Sequence, residues 1–175
     1  MPAPVVAFYG DSITTGTHSA EPFDWLPAGW HPSPVRHMAQ LASFTPIDYS
    51  YDGASSRDAS IKPDESTLVV IRFGVADCVH GLTPEEFGEN IARLVTEARA
   101  VGKRVLLTGL THAGDVDTAP LDRAMRECAA SLGVPFVDVH ALPFGEGDLA
   151  DGIHPAEGYS RRVGESVAAA IGAMV

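Results

Sequence analysis

The run Val5-Val6-Ala7-Phe8-Tyr9 constrains this chain more than any other stretch, because it stops abruptly at Gly10-Asp11-Ser12. Five apolar or aromatic residues in succession have the length and composition of a buried strand. The three that follow are turn formers. Open α/β sheets put their chemistry beyond the C-terminal ends of their strands, and Ser12 stands at such an end. The same residues also suit an ordinary strand-to-loop junction with Ser12 as a helix cap. The rest of the chain decides between the two.

Later segments repeat the strand signal and alternate it with helices. Thr67-Leu68-Val69-Val70-Ile71-Arg72-Phe73 is a second buried strand, running directly into Gly74-Val75-Ala76-Asp77. Ile47–Tyr51, Lys103–Leu107 and Val134–Val139 are expected as further strands. Pro34 opens a helix through Leu41, with proline in the first turn as helix starts prefer. Thr83-Pro84-Glu85-Glu86 combines an N-cap, a proline at the first helical position and a capping-box glutamate. The helix it starts carries Phe87, Ile91, Leu94, Val95 and Ala98 at helical spacing and ends near Gly102. Helices are also expected over 119–132 and from Glu157 to about Met174. Strands and helices alternating at such short spacing predict an α/β fold with a parallel sheet covered on both faces.

With 175 residues, no internal repeat and no linker, one domain over 1–175 is expected, large enough to bury a core without staples. A net charge of −11 opposes phosphate backbones and argues against nucleic acid as a partner. No basic segment followed by an apolar run marks the N-terminus, and no run approaches membrane-spanning length. A cytoplasmic protein with no membrane partner is expected, although a mature secreted form would look the same. Cys78 and Cys128 stand far apart and form neither a metal nor a redox motif. The scattered His18, His31, His37, His80, His112 and His140 lack regular ligand spacing, so no metal is expected.

A serine nucleophile needs a base, and the base needs a partner that fixes its tautomer. Asp151 and His154 lie three apart in a glycine-containing turn. That spacing lets the carboxylate fold onto the imidazole while the other ring nitrogen points outward. Pro155 restricts the backbone of His154 to extended conformations. An N-cap aspartate beside a surface histidine is the plainer account of the same pair. An acyl-transfer site also needs donors for the tetrahedral oxyanion, which the amides of Ser12 and Gly53 could supply from neighbouring loops.

Taken together, Gly10-Asp11-Ser12-Ile13-Thr14, Gly53, Gly74-x-x-Asp77 and Asp151-x-x-His154 resemble the four blocks of the SGNH (GDSL-type) hydrolases, in order and over nearly the whole chain. The DGIHP and FGVADCVHG segments are most similar to the small single-domain esterase, thioesterase and lysophospholipase branch. The resemblance implies a flavodoxin-like three-layer α/β/α sandwich with no cofactor and a small-molecule ester as substrate. It also implies Ser12 as nucleophile, His154 as base and then acid, Asp151 as its orienter, and the amides of Ser12 and Gly53 as oxyanion donors. Short-acyl or O-acetyl esters rank above thioesters and lysophospholipids.

One position departs from the pattern. The family's third block is G-x-N-D, whose asparagine donates to the oxyanion, and here Ala76 stands in its place. Three accounts fit: a two-donor hole, or one completed by a residue such as His112 or Arg72; an engineered trap; or a ligand- or carbohydrate-binding protein on the same scaffold. Asp11 and Asp77 are expected to tie the blocks together by hydrogen bonds, and Cys78 to be a small packed side chain. Trp25 and Trp30 could floor an acyl or sugar pocket or anchor the long loop, and His112 is a further candidate for substrate contact. The sequence leaves the oligomeric state open.

Overall fold

Every residue of the 67–73 run that enters the sheet is buried, and the reason is its place at the centre. The computed structural model describes residues 2–16 and 34–175. In it β1 (Val5–Gly10) is flanked by β2 (Thr45–Asp48) and β3 (Leu68–Arg72), followed outward by β4 (Arg104–Thr108) and β5 (Phe136–Val137). All four pairings are parallel, with Val6 opposite Leu68 and Gly10 opposite Arg72. The order β2-β1-β3-β4-β5 reverses direction between β1 and β3, and that crevice is where flavodoxin-like sheets bind ligands. Both strands that flank it run into the glycine-containing turns picked out by the sequence.

Helices cover the two faces as the side-chain alternation of the strands dictates. Val69 and Ile71 face α4 (Pro84–Ala100) and α5 (Ala119–Leu132), packing on Phe87, Ile91, Leu94 and Met125. Leu68 and Val70 face α2 (Pro34–Ala42) and α6 (Glu157–Gly172), packing on Met38, Tyr159, Val163 and Val167. The α4 capping box forms as its sequence predicts, Thr83 Oγ accepting from Glu86 N and Glu86 accepting from Thr83 N.

Differences from the sequence expectation lie at the edges and turns. The first edge strand is Thr45–Asp48 rather than 47–51, and the last is only two residues long. Edge strands lack a second neighbour to fix their limits, so local apolarity overstates them. Two short helices were not expected: α1 (Ser12–Thr15) and α3 (Val75–Val79). Each is a single turn or little more, below the length at which apolar periodicity becomes visible.

Candidate active site

Asp11, not Ser12, caps α1. Its Oδ1 accepts the amide of Ile13 at 3.0 Å, which leaves Ser12 as the first helical residue with its hydroxyl not spent on capping. The turn requires glycine before it. A Cβ on Gly10 would fall 2.2 Å from Thr14 Oγ and 2.8 Å from the Arg72 carbonyl oxygen. Asp11 Oδ2 accepts the amide of Ala76 at 3.0 Å, so one buried carboxylate joins the turn after β1 to the turn after β3.

The base arrives from a separate loop. A bridge between Leu149 and Pro155 and the bond from Ala150 N to His154 O (2.8 Å) close the loop that carries Asp151 and His154. Asp151 Oδ1 accepts the amides of Ile153 and His154 at 3.0 and 2.8 Å, which orients the carboxylate. Its Oδ2 lies 2.7 Å from His154 Nδ1, and His154 Nε2 lies 2.8 Å from Ser12 Oγ. An ionised carboxylate only accepts, so Nδ1 carries the ring proton and Nε2 offers its lone pair to the serine hydroxyl. The loop is backed closely by Gly114, where a Cβ would come within 2.1 Å of the Gly152 carbonyl oxygen.

Gly53 sits in the turn beyond β2 with φ of +72°, an exposed left-handed position. Tyr51 N donates to Gly10 O at 3.2 Å and Thr15 Oγ donates to Asp52 at 2.7 Å, which draws this turn against α1. Asp77 extends the same bracing, accepting from Ser55 Oγ at 2.6 Å and Ser56 N at 3.0 Å. Burial pushes the carboxyls of Asp11 and Asp77 above the usual carboxylate range, against the pull of these hydrogen bonds. Neither Ser12 N nor Gly53 N donates to an acceptor among the described residues. Ala76 presents only a methyl, and its amide is engaged by Asp11.

The remaining candidates separate from this cluster. His112 donates from Nε2 to the His140 carbonyl at 3.0 Å and stacks on Phe144 with ring centroids 4.5 Å apart. Both line a cavity of about 370 Å³ that includes no member of the serine, histidine and aspartate set. A larger hollow of about 590 Å³ beside α2 and β2 likewise includes none of them. Trp25 and Trp30 lie outside the described residues. Burial pushes the Cys78 thiol up to about 12, so it has no thiolate character near neutral pH. Among the described residues no group of three His, Cys, Asp or Glu side chains could hold a metal, and no helix is long and apolar enough to cross a membrane. Sequence reasoning passed over Asp11 as a cap; an Asp immediately before a helix start is the signal that marks it.

Comparison with known proteins bears on the family and the fold. Residues 8–161 match the GDSL-like lipase/acylhydrolase family. The chain is 30% identical over 127 residues to esterase TesA of Pseudomonas aeruginosa, a match covering 69% of this chain and 63% of that protein. An aryl esterase from M. smegmatis superimposes with a TM-score of 0.78 at 20% identity, covering 99% of this chain and all of the other. A carbohydrate acetylesterase from Sinorhizobium meliloti gives 0.75 at 18% identity, covering 98% and 100%. At such identities the two structures speak for the fold alone, whereas the family match spans most of the sequence. The chain belongs to the GDSL-like lipase/acylhydrolase family, a family of serine ester hydrolases.

Proposed function

We propose that the protein hydrolyses small esters of short acyl or O-acetyl groups through Ser12, His154 and Asp151. The observation that carries this reading is the continuous relay from Ser12 Oγ to His154 Nε2 (2.8 Å) and from His154 Nδ1 to Asp151 Oδ2 (2.7 Å). Ser12 Oγ attacks the ester carbonyl carbon as its proton passes to His154 Nε2. The carbonyl π-electrons move to oxygen, and the amides of Ser12 and Gly53 donate to the resulting oxyanion. Collapse expels the alcohol, which takes the proton from Nε2 and leaves an acyl-serine. Water then repeats the sequence, giving up its proton to His154 and releasing the acid. Asp151 stays ionised and stabilises the imidazolium in both halves.

Ala76 makes this a two-donor oxyanion hole, so the reading is of an esterase working below the rate that a third donor would allow. Because a single missing donor costs about 10²–10³ in kcat, activated esters are the substrates on which turnover is most readily seen. The test is p-nitrophenyl acetate in pre-steady state, with intact-mass analysis of the quenched enzyme. A burst of p-nitrophenol and an acetyl adduct on Ser12 are expected. Tight ligand binding with neither burst nor adduct would favour a binding protein on the same scaffold.

A further inference from the structure

Arg72 is a cation with almost no hydrogen-bond partner among the described residues. It ends β3 at 7% exposure, and its Nε and Nη1 are buried without a hydrogen bond. The side chain lines two cavities of about 10 Å³ each. Asp11, Ile13, Thr108 and Thr111 share the first with it, and Ile13, Pro155, Ser160 and Gly164 share the second. Each has room for about one water and none for a substrate. Thr111, which also lines the first cavity, has a buried Oγ without a partner among the described residues. A guanidinium, a hydroxyl and the Asp11 carboxylate around one water-sized space are the polar partners that an internal water requires. The second cavity lies under Ile13 and Pro155, the residues next to Ser12 and His154.

We infer that Arg72 is a positioning residue of this site: with one water in the cavity it shares with Asp11 and Thr111, its charge lets the Asp11 carboxylate clamp the amides of Ile13 and Ala76. The clamp needs both oxygens as acceptors, since Oδ1 takes Ile13 N and Oδ2 takes Ala76 N. A protonated Asp11 would turn an O–H toward one of those N–H groups and lose that bond. The adjoining Ser12 amide would then lose its aim at the oxyanion. Burial pushes the Asp11 carboxyl up, the two amides and Arg72 pull it down, and Asp77 pushes it up again. Arg72 itself is lowered by burial to about 10, against the pull of Asp11 and Asp48, and so stays charged through neutral pH. Cys78 also lies within the field of Asp11. On the α6 side, His37 of α2 approaches Gly164, where an added Cβ would stand 3.6 Å from its Cδ2.

This inference rests on the esterase reading, and the two fail differently. The experiment measures kcat and KM for p-nitrophenyl acetate against pH for the wild type, Arg72→Met, Arg72→Lys, Asp11→Asn and the Arg72→Met/Asp11→Asn double variant. Arg72→Met should lower kcat by about 10²-fold at neutral pH with little change in KM, the scale of loss when a catalytic group is misplaced. Its acid limb should move to higher pH, and Arg72→Lys should restore both. In the Asp11→Asn background the arginine change should have no further effect on the limb. A shift that persists there would mean that Arg72 acts directly on His154, and the proposal would be overturned. So would an unchanged profile in Arg72→Met. If that variant does not fold, a crystal structure of the wild type decides: a water bonded to both Arg72 and Asp11 supports the proposal, and a dry cavity ends it. Absence of Ser12 acylation in the wild type would instead remove the esterase reading.

Discussion

The two ends of the sheet treat buried cations in opposite ways. Just before β4, at the N-terminal edge, Lys103 Nζ donates to the Asp64 carboxylate, to the carbonyls of Asp64 and Ser66 at 3.1 and 3.0 Å, and to Ser66 Oγ at 2.6 Å. Tyr49 adds a bond to the other oxygen of Asp64 at 2.9 Å. Burial pushes the Asp64 carboxyl up, but bonds from Lys103, Ser66 and Tyr49 outweigh it and hold it down at about 2. At the C-terminal edge burial wins for Asp11 and Asp77, and Arg72 has two bare nitrogens. One edge satisfies its charges and fixes the strands. The other leaves charges incompletely matched beside Ser12 and His154, the proposed reacting groups, as is common where a protein tunes chemistry rather than stability.

The sharpest break of this contrast is at Ser12. On the proposed mechanism Ser12→Ala removes the nucleophile and disables the whole relay, so kcat/KM should fall by roughly 10⁴–10⁶-fold while the unfolding midpoint hardly moves. Labelling by an organophosphonate probe should vanish with it. Cys78→Ala should label normally, because a thiol at about 12 is no nucleophile near pH 7. Labelling that follows the cysteine instead would overturn the assignment of chemistry to this edge.

Lys103→Met should do the reverse. Removing one member of a buried pair strands the other charge, and a loss of about 3–5 kcal/mol in urea unfolding is expected, with kcat per folded molecule unchanged. The pH dependence has a definite sign. Asp64 is depressed below the ordinary carboxylate value, so its contribution is fully present above about pH 4 and disappears as pH falls through about 2. In Lys103→Met that acid-side loss should be much smaller. A variant as stable as the wild type would show that the two edges do not divide the work in this way.

Ala76→Asn sharpens the comparison from the other side by restoring an amide to the active edge. A gain of about ten- to a thousandfold, roughly 1.4–4 kcal/mol of transition-state stabilisation, is expected in kcat rather than KM. The oxyanion exists only in the transition state, so a donor aimed at it leaves ground-state binding alone. A fall in activity would identify the small side chain as room for substrate.

The legible parts of this molecule were those where one residue type has one use. The capping box at Thr83 and Glu86, the bounds of α5 at Ala119 and Leu132, and the buried run over 67–73, of which Leu68–Arg72 forms the strand, follow from local chemistry alone. Ser12, Asp151 and His154 were nameable through the resemblance of their blocks and the order of those blocks, and the fold links them by successive contacts of 2.8 and 2.7 Å through His154. The approach of Arg72 to the small cavity that Asp11 also lines was not legible. They are 61 residues apart (72 − 11), and an arginine ending an apolar strand looks like one reaching solvent. Only the crossover that sets β3 beside β1, with α1 and α6 above, closes it in. The limits of β2 were displaced and those of β5 overstated for the opposite reason, since local sequence carries no record of a missing neighbour.

Gly53→Ala should have the smallest effect and tests which property of the glycine the site uses. Its φ of +72° disfavours any side chain, yet, its chain neighbours aside, a Cβ there would meet no atom of the described residues within 4 Å. The cost is therefore backbone strain alone, about 1–2 kcal/mol for an L-residue held in the left-handed region, and it should appear as a lower unfolding midpoint. Alanine keeps the N–H. If that amide is what the oxyanion meets, and the turn is held by Thr15 on Asp52 and by Asp77 on Ser55 and Ser56, kcat should stay within about threefold, under 1 kcal/mol of barrier. A far larger fall with normal folding would mean that the turn relaxes away from left-handed geometry and carries its donor with it. The active edge would then owe its geometry to glycine's freedom at this turn more than to the buried carboxylates beneath it.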